Sequence, residues 1–121
     1  VENHLSYRPE VALVVLVSDA TVTPNGGFAP YRTYELELAD ANVQLANVVD
    51  TTVGAVLNWA IRQDNAGGRT LTFDTAYKFS SSAPALPTGS DEEYLVSGVV
   101  LAVDGNGVAT RILCSRTPAL S

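Results

Sequence analysis

Along most of this chain apolar and polar positions alternate with a period of two, not the 3.6 of a helix. Over Tyr31–Leu38, Tyr34, Leu36 and Leu38 fall on one face and Thr33, Glu35 and Glu37 on the other. That pattern predicts a half-buried strand. Residues 55–63 alternate in the same way, with Leu57, Trp59 and Ile61 inward and Asn58 and Arg62 outward. Residues 69–73 follow suit with Leu71 and Phe73 inward, and Tyr77 and Phe79 add a second aromatic pair. Two stretches are apolar in both phases: residues 11–17 (VALVVLV) and residues 94–103. The first reads as a strand buried on both faces or as one lying in a subunit interface; the second is the last long apolar run and suits a subunit interface. Residues 43–49 are a weaker strand candidate.

Turn chemistry separates these runs. Residues 23–30 (TPNGGFAP) form a long turn, and residues 80–90, with three serines, Pro84, Pro87 and Gly89, form a structured loop. Asp64-Asn65-Ala66-Gly67-Gly68 supplies glycines for positive φ and predicts a tight hairpin from residues 55–63 into 69–73. Asp104-Gly105-Asn106-Gly107 turns the run 94–103 back into 108–115. Strands of similar length between turns predict an all-β fold, an antiparallel β-sandwich or small barrel. One β domain is expected over residues 11–121, preceded by a polar, extended N-terminal arm over residues 1–10. A short helix at 39–44 or 49–54 is the one departure the pattern leaves room for. No internal repeat is visible.

Composition narrows the function. The 121 residues are 46% hydrophobic and only 17% charged, against about 25% charged in ordinary domains. Such a chain is compact and also buries surface against something else. A net charge of -6, with seven basic residues scattered singly, argues against nucleic acid, whose phosphates need clustered Lys and Arg. The run 11–17 is too short to cross a bilayer, so no membrane partner is expected. A lone Cys114 and a lone His4 provide neither a disulfide nor the ligands of a structural zinc site. No cofactor is implied.

Catalytic constellations are thin. His4, the sole base for a Ser-His-Asp arrangement, falls in the arm. Glu35 and Glu37 sit on the solvent phase of their strand, Asp91, Glu92 and Glu93 form an acidic turn, and Asp74 stands alone. The Asp104 turn lacks the later ligands of a calcium loop, and Asn25-Gly26-Gly27 lacks the Lys of a phosphate loop. Cys114, on a strand, reads as a small buried hydrophobe. The protein is expected not to be an enzyme.

One segment carries a resemblance. Gln63-Asp64, Gly67-Gly68-Arg69-Thr70-Leu71, Tyr77-Lys78-Phe79, Ala83-Pro84-Ala85-Leu86, an acidic turn, residues 96–101 and Arg111-Ile112-Leu113 follow one another in order. Together, residues 55–113 resemble a module of tailed-bacteriophage virion proteins, found in tail fibres, tail tips and other structural proteins. The resemblance covers about half the chain, and the chain is similar in size to the decoration (cement) proteins that bind the outside of phage heads. It implies a virion location and, as partners, the major capsid protein or tail proteins of the same particle. By analogy with three-fold positions of the head it also implies a homotrimer. From the residues themselves, Gln63, Asp64, Gly67, Gly68 and Arg69 read as turn chemistry, with an Asp64–Arg69 ion pair, or else as a ligand contact at a hairpin tip.

Two binding readings follow. In the first, a structural protein assembles through apolar contacts at Val11, Leu13, Val15, Val17, Val99 and Leu101, with the arm adding as a strand to a neighbour. In the second, a tail-fibre or tail-tip module binds host-surface glycan or receptor through exposed Tyr31, Tyr34, Tyr77 and Tyr94. Trp59 lies on the apolar phase and reads as core. Two or more coplanar aromatics on an open face would favour glycan; an apolar face repeated by symmetry would favour assembly.

Overall fold

The computed structural model describes residues 12–80 and 86–116, and every regular element among them is a strand. The strands are β1 (Ala12–Leu16), β2 (Thr21–Val22), β3 (Tyr31–Leu38), β4 (Asn42–Leu45), β5 (Val56–Gln63), β6 (Thr70–Phe73), β7 (Tyr77–Lys78), β8 (Glu93–Val103) and β9 (Ala109–Arg116). The all-β reading holds, and the described residues contain no helix at 39–44 or 49–54. The proposed arm, with Val11, lies outside the described residues.

A larger sheet has the order β1-β3-β5-β8-β9-β7 and a smaller one β2-β4-β6. The first six strands alternate between the sheets, so the chain winds. Each circuit, β1–β2, β3–β4 and β5–β6, lies parallel on the one before. Parallel neighbours need a crossover, usually a helix; here the strand of the opposite sheet serves as the crossover. Only β5–β8 and β8–β9 pair antiparallel. The antiparallel expectation is therefore corrected to a mixed sheet. The hairpin expected at 64–68 is corrected with it: β5 and β6 belong to different sheets, and the glycine-rich segment is a corner between them. The turn at Asp104 is a true hairpin, with Asp104 Oδ1 accepting from the amides of Asn106 and Val108 at 2.8 and 3.0 Å.

Polar side chains in the corners tie each circuit to the next. Ser18 donates to Asp40 at 2.7 Å, Asn25 to Asp50 at 3.0 Å and Asn47 to Thr75 at 3.3 Å. Without such partners the corner backbone would leave buried amides unpaired; Asn47 Oδ1, for example, accepts from the amide of Ala76 at 2.8 Å.

The inward phases of both sheets meet in one core. Leu36 and Leu38 of β3, Leu57 and Ile61 of β5, Val96 and Val100 of β8 and Ile112 of β9 are buried with Val22, Val43 and Leu45 of the smaller sheet. Trp59 is fully buried, stacked on Tyr34 at 5.9 Å and edge-on to Tyr77 at 5.4 Å. Leu71 and Phe73 are half-buried and pack against this cluster. Cys114 is buried, as expected, and burial pushes its thiol pKa up to about 12. Burial on both faces, one of the two readings of residues 11–17, is corrected: β1 is an edge strand, with Val14 and Leu16 half-covered and Leu13, Val15 and Val17 exposed.

Candidate interaction surface

Residues 63–69 form a built corner. Gln63 is 1% exposed. Its Nε2 donates to the carbonyls of Arg69 at 2.8 Å and Pro87 at 3.2 Å, and its Oε1 accepts from the Arg69 amide at 3.0 Å. Asp64 Oδ1 accepts from the amides of Ala66 and Gly67 at 3.2 and 3.1 Å. The expected ion pair is present, with Arg69 Nη2 at 3.0 Å from Asp64 Oδ2. The Arg69 hydrogen bond, before the amides, holds the Asp64 carboxyl below its ordinary value. Gly67 and Gly68 have φ of 69° and 73°, a region costly for other residues. The side-chain amide of Gln63, the carboxylate of Asp64 and two of the three guanidinium nitrogens of Arg69 are engaged within the corner and its neighbouring loop.

The tyrosines divide unevenly. Among the described residues Tyr34, Tyr77 and Tyr94 are buried and only Tyr31 is exposed. The hydroxyl of Tyr34 donates to the Asn25 carbonyl at 2.7 Å, and burial raises its pKa to about 12. Tyr77 donates to Ala46 at 2.8 Å. Those three side chains are core, a correction to their reading as glycan contacts. Phe28 is the other large exposed aromatic, and the stacked and tilted aromatic pairs all lie among Tyr34, Trp59, Phe73, Tyr77 and Phe79.

The carboxylates weighed as acids are engaged in turns or on the surface. Glu37 pairs with Arg62 at 3.2 Å in solvent. Glu92 accepts from the Gly89 amide at 2.6 Å, and Asp74 from Thr75 at 2.7 Å. Among the described residues no group of three His, Cys, Asp or Glu side chains is placed to hold a metal.

The outer face of the larger sheet has a different character. Its rows run across the strands in register. Leu13, Thr33, Asn58, Ser97 and Ser115 form a central row, with Ser97 donating to Asn58 at 2.7 Å. On one side lie Val15, Glu35, Ala60 and Leu95; on the other lie Tyr31, Val56, Val99 and Leu113. Leu13 is 60% exposed, Val15 66%, Tyr31 57% and Leu113 54%. Leu95, Val99 and Leu101 are each more than a third exposed. Glu35 is the only charge in these three rows. Glu37, Arg62 and Glu93 lie beyond one end, where a shallow cavity of about 370 Å³ opens beside Val17. Arg111 is exposed across the ladder from the β8 bulge at Leu101 and Ala102.

The structure thus places Leu13, Val15, Val17, Val99 and Leu101 on one exposed face, while Val11 lies outside the described residues. Tyr31, Leu95 and Leu113 join them. Sequence reasoning missed the last two, although the both-phase run 94–103 signals an apolar outer phase that includes Leu95. The outer face of the smaller sheet is polar and uncharged, with Thr21, Gln44 and Thr72 in one row and Asn42 beside Thr70 in another.

Comparison with known proteins brings no relative: no family model, curated protein or solved structure matches the chain.

Proposed function

We propose that this chain is a structural protein of a tailed-phage virion, a decoration (cement) protein that attaches to the outside of the head and reinforces the shell. The carrying observation is the contrast between the two outer faces: the larger sheet carries two largely apolar rows with Glu35 as their one charge, between charged rims, and the smaller sheet carries hydroxyl and amide rows. A solvent-facing sheet normally alternates to polar side chains on its outer phase. Monomers seldom expose apolar patches beyond about 300–600 Å². Two largely apolar outer rows reaching across five strands fit a surface covered in the working assembly. The resemblance over residues 55–113 supplies the virion context.

On this reading the protein is not an enzyme, its partners are the major capsid protein or tail proteins of the same particle, and it self-associates symmetrically. Three copies is the count proposed by analogy with three-fold head positions. The fold is read as a flattened two-layer sandwich, wound rather than hairpin-built, whose shared core makes it a stiff clamp. The alternative, a tail module binding glycan, needs paired exposed aromatics, and only Tyr31 of the four candidate tyrosines is open.

The test is immunogold labelling of intact particles. Even label over the head is the expected result. Label confined to the tail tip would transfer the protein to receptor binding, and unlabelled particles would overturn the virion reading.

A further inference from the structure

The rows of the larger sheet's outer face are arranged symmetrically about their middle. The central row is polar and uncharged from Thr33 through Asn58 and Ser97 to Ser115, with the exposed Leu13 at its β1 end. An apolar row flanks it on each side. Four residues from Ser97 in one direction stands Glu93; four in the other stands Leu101, with Arg111 across the ladder. Each offset is about 13 Å along the strand.

We infer that this face packs against the same face of a second copy of the chain, about a two-fold axis lying in the interface along the Thr33–Asn58–Ser97 row. The inference rests on the self-association proposed above and assigns it two copies in place of the three suggested by the head analogy. Such an axis exchanges the two ends of every strand, so the Leu95 row of one copy lies over the Val99 row of the other. Tyr31 of one copy comes opposite Glu35 of its mate, placing a phenolic donor against the only carboxylate in the three central rows. At the rim, Leu101 comes opposite Glu93, and Arg111 on β9 lies one strand to the side, about 5 Å away, within reach of that carboxylate for a long side chain. Neither Arg111 nor Glu93 has an ion-pair partner within 4 Å among the described residues.

Area supports the choice of occupant. Leu13, Val15, Tyr31 and Leu113 are each more than half exposed, and with Leu95, Val99 and Leu101 they spread across five strands, the breadth of a standard interface of about 800 Å² per partner. Two such sheets pack about 10 Å apart with their strands within about 30°. An isologous contact is closed by two copies and leaves no sticky surface to propagate. The smaller sheet's polar face then points outward on both sides of the pair.

The experiment is light scattering on the purified full chain with charge reversal at the rim. Wild type should have twice the 12.7 kDa mass of one chain. Glu93→Arg alone and Arg111→Glu alone should each weaken the pair by about tenfold or more, and the double variant should restore it. Both side chains are exposed, and unchanged circular dichroism and melting temperature confirm that the variants fold. Folded wild type that stays monomeric, a mass of three chains, or a double variant no tighter than the singles would each overturn the two-fold. The labelling experiment keeps the two ideas apart. A pair that decorates no particle defeats only the virion reading, and a decorating monomer defeats only the pairing.

Discussion

Gln63 shows how much one side chain can determine here. Its amide satisfies two carbonyls and one amide in a corner where β5 leaves the larger sheet and the chain heads for β6. Gln63→Leu keeps the volume and removes all three bonds, leaving buried backbone groups unpaired. We expect a loss of about 3 kcal/mol in urea unfolding; a loss below about 1 kcal/mol would mean that water replaces the amide there. Asp64 gives a prediction in pH. Its carboxyl is held below its unfolded value, so its contribution is complete above about pH 4 and fades as pH falls through the lower folded value. The stability advantage of wild type over Asp64→Asn should therefore be flat near neutrality and shrink in acid. An advantage that grew on acidification would contradict the assignment. The ion pair was legible in the sequence because Asp64 and Arg69 flank a glycine-rich turn. The Pro87 contact was not, since nothing local links positions 24 apart.

At the scale of elements, periodicity identified strands and faces but not partners. Over Tyr31–Leu38 every inward and outward assignment from Tyr34 to Leu38 agrees with the burial, because alternation reports which phase meets the core. It carries no information on which strand lies alongside. A glycine-rich corner serves a hairpin and a crossover equally well, so β5 and β6 read as neighbours when they occupy different sheets. The winding was also hidden because its circuits share geometry without sharing sequence. Close packing between elements yields the next prediction. Gly98 on β8 faces inward, and a methyl group there would come within 2.8 Å of Ile112 Cγ2 and 2.9 Å of Cys114 Sγ. Gly105 in the β8–β9 turn has open space around it and no positive φ. Gly98→Ala should destabilise by about 1–3 kcal/mol through overpacking, while Gly105→Ala stays within about 0.5 kcal/mol of wild type. Equal effects in thermal denaturation would mean that β9 moves freely away from β8.

For the whole molecule, the decisive property is that two sheets sharing one core present unlike outer faces. The low charge fraction announced a surface to be covered but did not locate it. Location required the register, which lines up Tyr31, Val56, Val99 and Leu113 from four separate strands. The unlike faces make the two readings of assembly testable with one matched pair of substitutions. Val99→Asp puts a carboxylate in the apolar row of the larger sheet; Gln44→Asp puts the same group in the exposed row of the smaller one. Either change takes the net charge from -6 to -7, so a general electrostatic effect would move both variants alike. Burying an unpaired carboxylate in an apolar contact is costly. Val99→Asp should therefore weaken self-association by about a hundredfold, equivalent to about 2.8 kcal/mol, and reduce decoration of particles with it. Gln44→Asp should leave both unchanged, since its side chain faces water before and after assembly. If Gln44→Asp alone abolished decoration while the pair survived, the polar sheet would be the attachment face and the apolar sheet a purely dimeric one. The shell would then be gripped through hydrogen bonds to the Thr, Asn and Gln rows, and the copies through the apolar rows.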